Sequence, residues 1–163
     1  MSGAATNTAR LRPAGPEDVA LVFEWANDPE VRRNAFHPEA ISWESHRVWY
    51  ATKLVEAKTL MMILETGDGR PLGQIRFEEV PQGIEVDLSV APSWRGQGLG
   101  RELVKQGLAA AAGRWPIGTT VIAKVLTSNV RSRRLFEGAG FLSQGVRMCR
   151  QTAYDQLERA LST

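Results

Sequence analysis

"IEVDLSVAPSWRGQGLGRELVKQGLAAAAGRW", residues 84–115, decides how the rest of the chain is read. Ile84, Val86, Leu88 and Val90 alternate with Glu85, Asp87 and Ser89, the period-two pattern of a half-buried strand. After Pro92 the pattern stops, and Gly96, Gly98 and Gly100 crowd into one short turn. A helix is predicted over 99–113: Val104, Leu108, Ala111 and Trp115 recur at helical spacing, and Gly113 with Pro116 ends it. A strand, a Gly-rich turn and a helix start make an anion site. The free N–H groups of the first helical turn point outward, the helix dipole adds partial positive charge, and glycine lets the backbone approach closely. "RGQGLG" thus offers the main chain of Arg95, Gly96, Gln97, Gly98, Leu99 and Gly100, with the Arg95 charge beside it, to a diphosphate. A plain tight strand-to-helix turn has the same pattern. A dinucleotide fingerprint wants G-x-G-x-x-G after an early parallel strand, and a Walker loop wants G-K-[ST]; neither is present.

Working outward, "TLMMILE" (59–65), "LGQIRFEEV" (72–80) and 84–90 read as three strands joined by the turns "TGDGRP" and "PQG", an antiparallel meander. "TTVIAKVL" (119–126) is a strand, and the helix crossover makes it parallel to 84–90. Upstream, "ARLRPA" (9–14) reads as a first strand. A helix follows with Pro16 and acids in its first turn and Val19, Val22, Phe23 and Ala26 on one face. "DPEVRR" is a further helical turn. Ser42 caps a helix through residue 57, with Val48, Leu54 and Val55 among its apolar positions. Downstream, a helix capped by Ser128 or Asn129 ends at Gly138 and Gly140, and 141–150 returns as a strand. The tail 151–163 has helical propensity and a Thr152 cap, and it also suits a last strand.

With 163 residues, 43% of them hydrophobic and 23% charged, the chain suits one α/β domain over 9–163 after a flexible leader, 1–8. A net charge of +2 makes no case for nucleic acid. No apolar run approaches a membrane span, and the first residues lack a signal-peptide core. The lone Cys149 rules out an internal disulfide and fits the cytoplasm.

"LSVAPSWRGQGLGRELV" (88–104) resembles the acetyl-coenzyme A signature of the GNAT superfamily of N-acetyltransferases, [QR]-x-x-G-x-[GA], with Arg95, Gly98 and Gly100 at its fixed positions. "VIAKVLTSNVRSRRLFEGAGF" (121–141) resembles the family's second signature, a strand, an Asn, a helix and "GF". The resemblance implies an α/β (α+β) fold: a mixed, mostly antiparallel sheet of six or seven strands, helices on both faces, and central parallel strands that splay apart. It implies acetyl-CoA as acetyl donor, a primary amine as acceptor, and no metal. Backbone groups of Leu88 and Val90 would line the pantetheine arm, and the amides from Arg95 to Gly100 would hold the pyrophosphate. Asn129 would bond the pantetheine as well as cap its helix. Arg131, Arg133 and Arg134 would either reach the 3′-phosphate or simply be solvated.

The chemistry implied is amine attack on a thioester. An N–H near Leu88 would stabilise the oxyanion. Many members carry a tyrosine seven residues after the Asn to protonate the sulfur, whereas this chain has Phe136. "N-x-x-S-x-R-L-F-E" is closer to the branch of ribosomal-protein N-terminal acetyltransferases, in which a serine here, Ser132, is the thiolate partner. A carboxylate used as base elsewhere is replaced by Lys124, which leaves Glu85 and Asp87, residues that also suit plain ion pairs. His37 and His46 titrate in a suitable range. The family builds its acceptor pocket from 24–49, which singles out Trp25, Asn27, Phe36 and His37. That stretch resembles amino-sugar acetyltransferases, and nearly as much protein N-terminal acetyltransferases. A coenzyme A-binding module without transferase activity is the alternative of another class. Related domains often form homodimers.

Overall fold

The antiparallel half of the sheet follows from alternation and tight turns. In the computed structural model, which describes residues 8–163, β1 is Arg10–Pro13, β2 Thr59–Glu65, β3 Pro71–Val80 and β4 Gly83–Val90. The leader read over 1–8 lies outside the described residues, apart from Thr8. Each of these strands pairs antiparallel with the next. The register sets Gln74 against Ser89, Arg76 against Asp87 and Glu78 against Glu85, so the polar sides of β3 and β4 share one face. On the other face Ile75, Phe77, Ile84 and Val86 are buried beneath α4 (Leu99–Ala112), which adds Leu103, Val104 and Ala111 to the core. Gly107 lets this helix sit close: a Cβ there would stand 2.6 Å from Ile75 Cδ1.

After the crossover, β5 (Thr120–Leu126) runs parallel to β4, paired only at Ile84–Val121 and Glu85–Ile122. Next come α5 (Val130–Gly138), β6 (Leu142–Cys149) and β7 (Thr152–Ala160). The tail is therefore a strand. It lies between β5 and β6 in a seven-stranded sheet of order β1-β2-β3-β4-β5-β7-β6. Arg150 (φ 48°) and Gln151 (φ 67°) turn β6 into β7, both in the left-handed region that a two-residue hairpin of this hand requires.

A 3-10 turn (Pro16–Asp18), α1 (Val19–Ala26), α2 (Pro29–Arg33) and α3 (Trp43–Val55) belong to the polar face of the sheet, around a second core of Val22, Trp25, Tyr50, Met61 and Ile63. Ser42 caps α3 as expected, its hydroxyl accepting from Ser45 N at 3.2 Å. The buried face of α3 differs from the expected one. Val48 and Val55 are exposed, and His46 and Tyr50, one turn apart, point inward. Their polar tips are satisfied there: Tyr50 Oη donates to Gly15 O at 2.7 Å, and His46 Nε2 lies 2.9 Å from Val19 O. Among the described residues no helix is long and apolar enough to cross a membrane.

Candidate active site

The short β4–β5 ladder is the origin of the site. Ala91 N donates to Leu72 O of β3 at 2.8 Å. The two-residue alternation of a strand then turns the main-chain groups of Leu88 and Val90 away from β3, toward the gap where β5 has diverged. Buried main-chain groups without ladder partners call for others. The gap opens into a cavity of about 820 Å³ that runs from the Gly96–Arg101 loop to α3.

At one end, a 3-10 turn (Pro92–Trp94) leads into the glycine loop. Gly96 and Gly98 have φ of 79° and 78°, and a Cβ at either would meet nothing within 4 Å. Glycine is needed here for backbone direction, and the surface it leaves is open to a ligand. Gly98 caps α4, so the unpaired first-turn amides and the positive end of the dipole face this opening. Gly100 brings α5 near, with a would-be Cβ 3.1 Å from Leu135 Cδ2.

The Arg95 side chain departs from expectation. Its guanidinium turns onto α2, with Nη2 2.7 Å from Asp28 Oδ1 and Nη1 2.8 Å from Glu30 Oε2. Burial opposes ionisation of Asp28, but Arg95 and backbone donors outweigh it and hold the carboxyl below its usual pKa. Arg95 therefore contributes main chain to the loop, and its charge is shared with two carboxylates. Of the other arginines, Arg131 lines the cavity, while Arg133 pairs with Glu137 at 3.9 Å and Arg134 is exposed.

On the opposite wall, Asn129 caps α5, its Oδ1 accepting from Ser132 N at 3.2 Å. Its amide nitrogen, and the Ser132 hydroxyl one turn on, make no hydrogen bond among the described residues. Both residues line the cavity beside Phe136, which is buried against Phe141 at 5.1 Å between ring centres.

The two carboxylates of β4 have different surroundings. Asp87 lines the cavity, with its side chain 59% exposed, 3.7 Å from Arg76 and 3.4 Å from Gln74 Nε2. Glu85 lies 3.5 Å from Lys124 across the parallel pair and does not line the cavity. None of the four acceptor candidates lines it either. Trp25 is 6% exposed in the second core. Asn27 brackets Ile41 through two 2.8 Å hydrogen bonds. Phe36 packs edge-on against Tyr154. His37 accepts from Arg32 through its carbonyl and lies near Arg150. The residues that do line this end include Val31, Asn34, Ile41, Ser45, His46 and Trp49. Val31 and Asn34 lie within four positions of Asn27 and Phe36, whereas Ser45, His46 and Trp49 come from α3.

A family model for the acetyltransferase (GNAT) domain matches residues 9–142. The chain belongs to this family. Among curated proteins, the GNAT domain described here is 23% identical over 137 residues to an uncharacterized protein, MJ1062, of Methanocaldococcus jannaschii. The match covers 80% of the chain but only 27% of that relative. Solved structures share the fold. A spermidine N-acetyltransferase from Vibrio cholerae, in complex with CoA and spermine, superposes with a TM-score of 0.83 at 16% identity, covering 95% of this chain and 96% of that one. The aminoglycoside acetyltransferase AAC(6')-Ib, in complex with ribostamycin and coenzyme A, gives 0.80 at 21% identity, covering 94% and 93%.

Two residues of this GNAT domain lead to direct tests. Asn129→Ala is expected to weaken acetyl-CoA binding by about 1–2 kcal/mol, because one amide both caps α5 and faces the gap. Calorimetry together with thermal melting separates the two roles: an unchanged affinity with a lowered Tm leaves the cap alone. His46 gives a pH test. Burial pushes its pKa below 6.5, against the contact with Val19 O. The unfolded chain then binds a proton that the native protein refuses. This contribution to stability is complete above 6.5 and is lost as pH falls through the lowered native value. The Tm of the parent should fall more steeply than that of His46→Gln from about pH 6.5 downward. Parallel Tm curves would show that His46 contributes nothing to the acid transition.

Proposed function

We propose that the protein is an acetyl-CoA-dependent N-acetyltransferase that moves an acetyl group to the primary amine of a small molecule by direct attack in a ternary complex. The observation that carries this reading is one continuous cavity. It joins an open glycine loop at a helix N-terminus to a polar pocket under α1–α3, past the unladdered edge of β4. Acetyl-CoA supplies the activated acyl group as a thioester. The amides from Arg95 to Gly100 hold its diphosphate, with Gly96, Gln97, Gly98 and Leu99 giving main chain only. Leu88 and Val90 offer main-chain hydrogen bonds to the pantetheine arm, and Asn129 adds its amide. An N–H at Leu88 receives the developing oxyanion. Asp87, exposed in the cavity, takes the amine proton directly or through water, and Ser132 donates to the departing sulfur. Glu85 is the weaker base candidate because Lys124 already partners it.

A small acceptor is favoured because the loop after α2 is fixed over the pocket. Asn27 clamps Ile41, and Arg32 binds the carbonyls of Ala26 and His37 at 2.7 and 2.8 Å. The structural neighbours named above acetylate polyamines and aminoglycosides, which supports the same class. An amino sugar fits a pocket of mixed aromatic and polar lining. The deciding experiment is acetyl-CoA turnover against a panel of amines and N-terminal peptides, read as free thiol and as product mass. Acetylated small amines support the reading, and acetylated peptides alone indicate the ribosomal-protein-type branch. Acetyl-CoA binding with no transfer to any acceptor leaves a non-catalytic binding module.

A further inference from the structure

The floor of the acceptor end is a charged ladder built by register. On the face of the sheet that carries α3, Gln74 stands against Ser89 and Arg76 against Asp87, and Glu85 faces Lys124 on β5. Gln74 Nε2 reaches Ser89 Oγ at 3.2 Å, which leaves Arg76 and Asp87 as the central charged pair. Of these charged side chains, Arg76, Asp87 and Lys124 line the cavity, two cations to one carboxylate.

Arg76 is held in place yet unsatisfied. Trp49 lies against its guanidinium, 4.9 Å from the ring centre, which fixes the group by a cation–π contact. Its Nε is buried without a hydrogen bond; Glu78 Oε2 lies 3.4 Å away but out of line, and that carboxylate is already 2.8 Å from Lys53 through its other oxygen. Its Nη1 is 3.7 Å from Asp87, beyond hydrogen-bond range. Arg76 makes no hydrogen bond among the described residues. The neighbouring Arg32 is held by carbonyls and Arg95 by two carboxylates. A planar guanidinium with free donors on a cavity wall matches the two oxygens of a carboxylate or phosphate.

Resting on the acetyltransferase reading above, we propose that the acceptor is an amine that also carries an anionic group, and that Arg76 selects it. The ammonium approaches Asp87 and the anion meets Arg76, so the pair of charges on the wall complements a pair on one small molecule. A polycation would place a second positive charge against Arg76, and a neutral amine would bring no anionic oxygens to its free donors.

The test compares matched acceptors that differ in one charge: glucosamine with glucosamine 6-phosphate, an amino acid with its amide, and spermidine as the polycation. The expected result is a kcat/KM at least about 10-fold higher for the anion-bearing member of a pair, with spermidine the poorest. The phosphate and carboxylate pairs show which anion is preferred. In Arg76→Gln the ratio within each pair should collapse toward one, and Arg76→Lys should keep part of it. Neutral amines or spermidine equalling the anionic acceptors, or a ratio unchanged in Arg76→Gln, would overturn the proposal. Calorimetry of glucosamine 6-phosphate and glucosamine on the CoA-loaded protein reads Arg76 without chemistry. A preference for the phosphate that is lost in Arg76→Gln, with no turnover of any amine, sinks the transferase reading and keeps the anion site; equal binding of the two sinks the anion site itself.

Discussion

Gly98→Asp removes acetyl-CoA binding while the protein stays folded. The backbone at Gly98 is left-handed, a conformation asparagine and aspartate tolerate better than other side chains. There is room for a Cβ, so no clash is expected. Aspartate is also a good N-cap, and its carboxylate would bind the first-turn amides of α4 itself. The variant thus places an internal anion where the diphosphate should lie. Affinity should fall at least about 100-fold by calorimetry, near 2.7 kcal/mol, with Tm lowered no more than in Gly98→Ala. Gly98→Ala is the control for backbone strain alone and should lose about 1–2 kcal/mol at most. An aspartate variant that binds acetyl-CoA as tightly as the parent means that the diphosphate lies elsewhere.

Ser132→Ala is expected to slow the chemical step about 10- to 1000-fold with little change in acetyl-CoA affinity. The hydroxyl lies one turn after the α5 cap, on the cavity wall and without a hydrogen-bond partner among the described residues. The residue that carries a phenol in many members is Phe136, which has no proton to give. Serine is a weak acid, so the role proposed for Ser132 is to donate a hydrogen bond or relay a proton from water. Adding Phe136→Tyr to the alanine variant asks whether a hydroxyl from the next turn reaches the sulfur. Restored turnover places both side chains around one atom. Unchanged turnover in Ser132→Ala, where chemistry limits the rate, makes solvent the proton source.

Sequence carried the framework well and the details unevenly. The faces of β4 were legible because alternation is local: Glu85, Asp87 and Ser89 do share a side, opposite Glu78, Arg76 and Gln74. The glycine loop was legible because positive φ leaves a compositional trace. β7 was not. Its turn uses Arg150 and Gln151 at positive φ, where Asn or Gly would have signalled a hairpin, and Asp155, Gln156 and Leu157 are buried in succession, matching neither period. On α3 the inward positions hold His46 and Tyr50, and valines face water, so hydrophobicity misplaced the helix phase. Trp25 is taken up by the second core and the carbonyl of His37 by Arg32, and neither residue lines the pocket. The Arg95–Asp28 pair joins positions 67 apart in the chain, beyond any local pattern.

The strand order has a consequence for synthesis. β6 leaves the ribosome before β7 but touches β5 only through it. Until residues 152–160 emerge, the free edge of β5 and the backbone of β6 lack the strand that pairs with both. The nascent chain therefore carries an open edge on β5, on the side away from β4, and a chaperone or a stray strand can occupy it before the protein closes on itself.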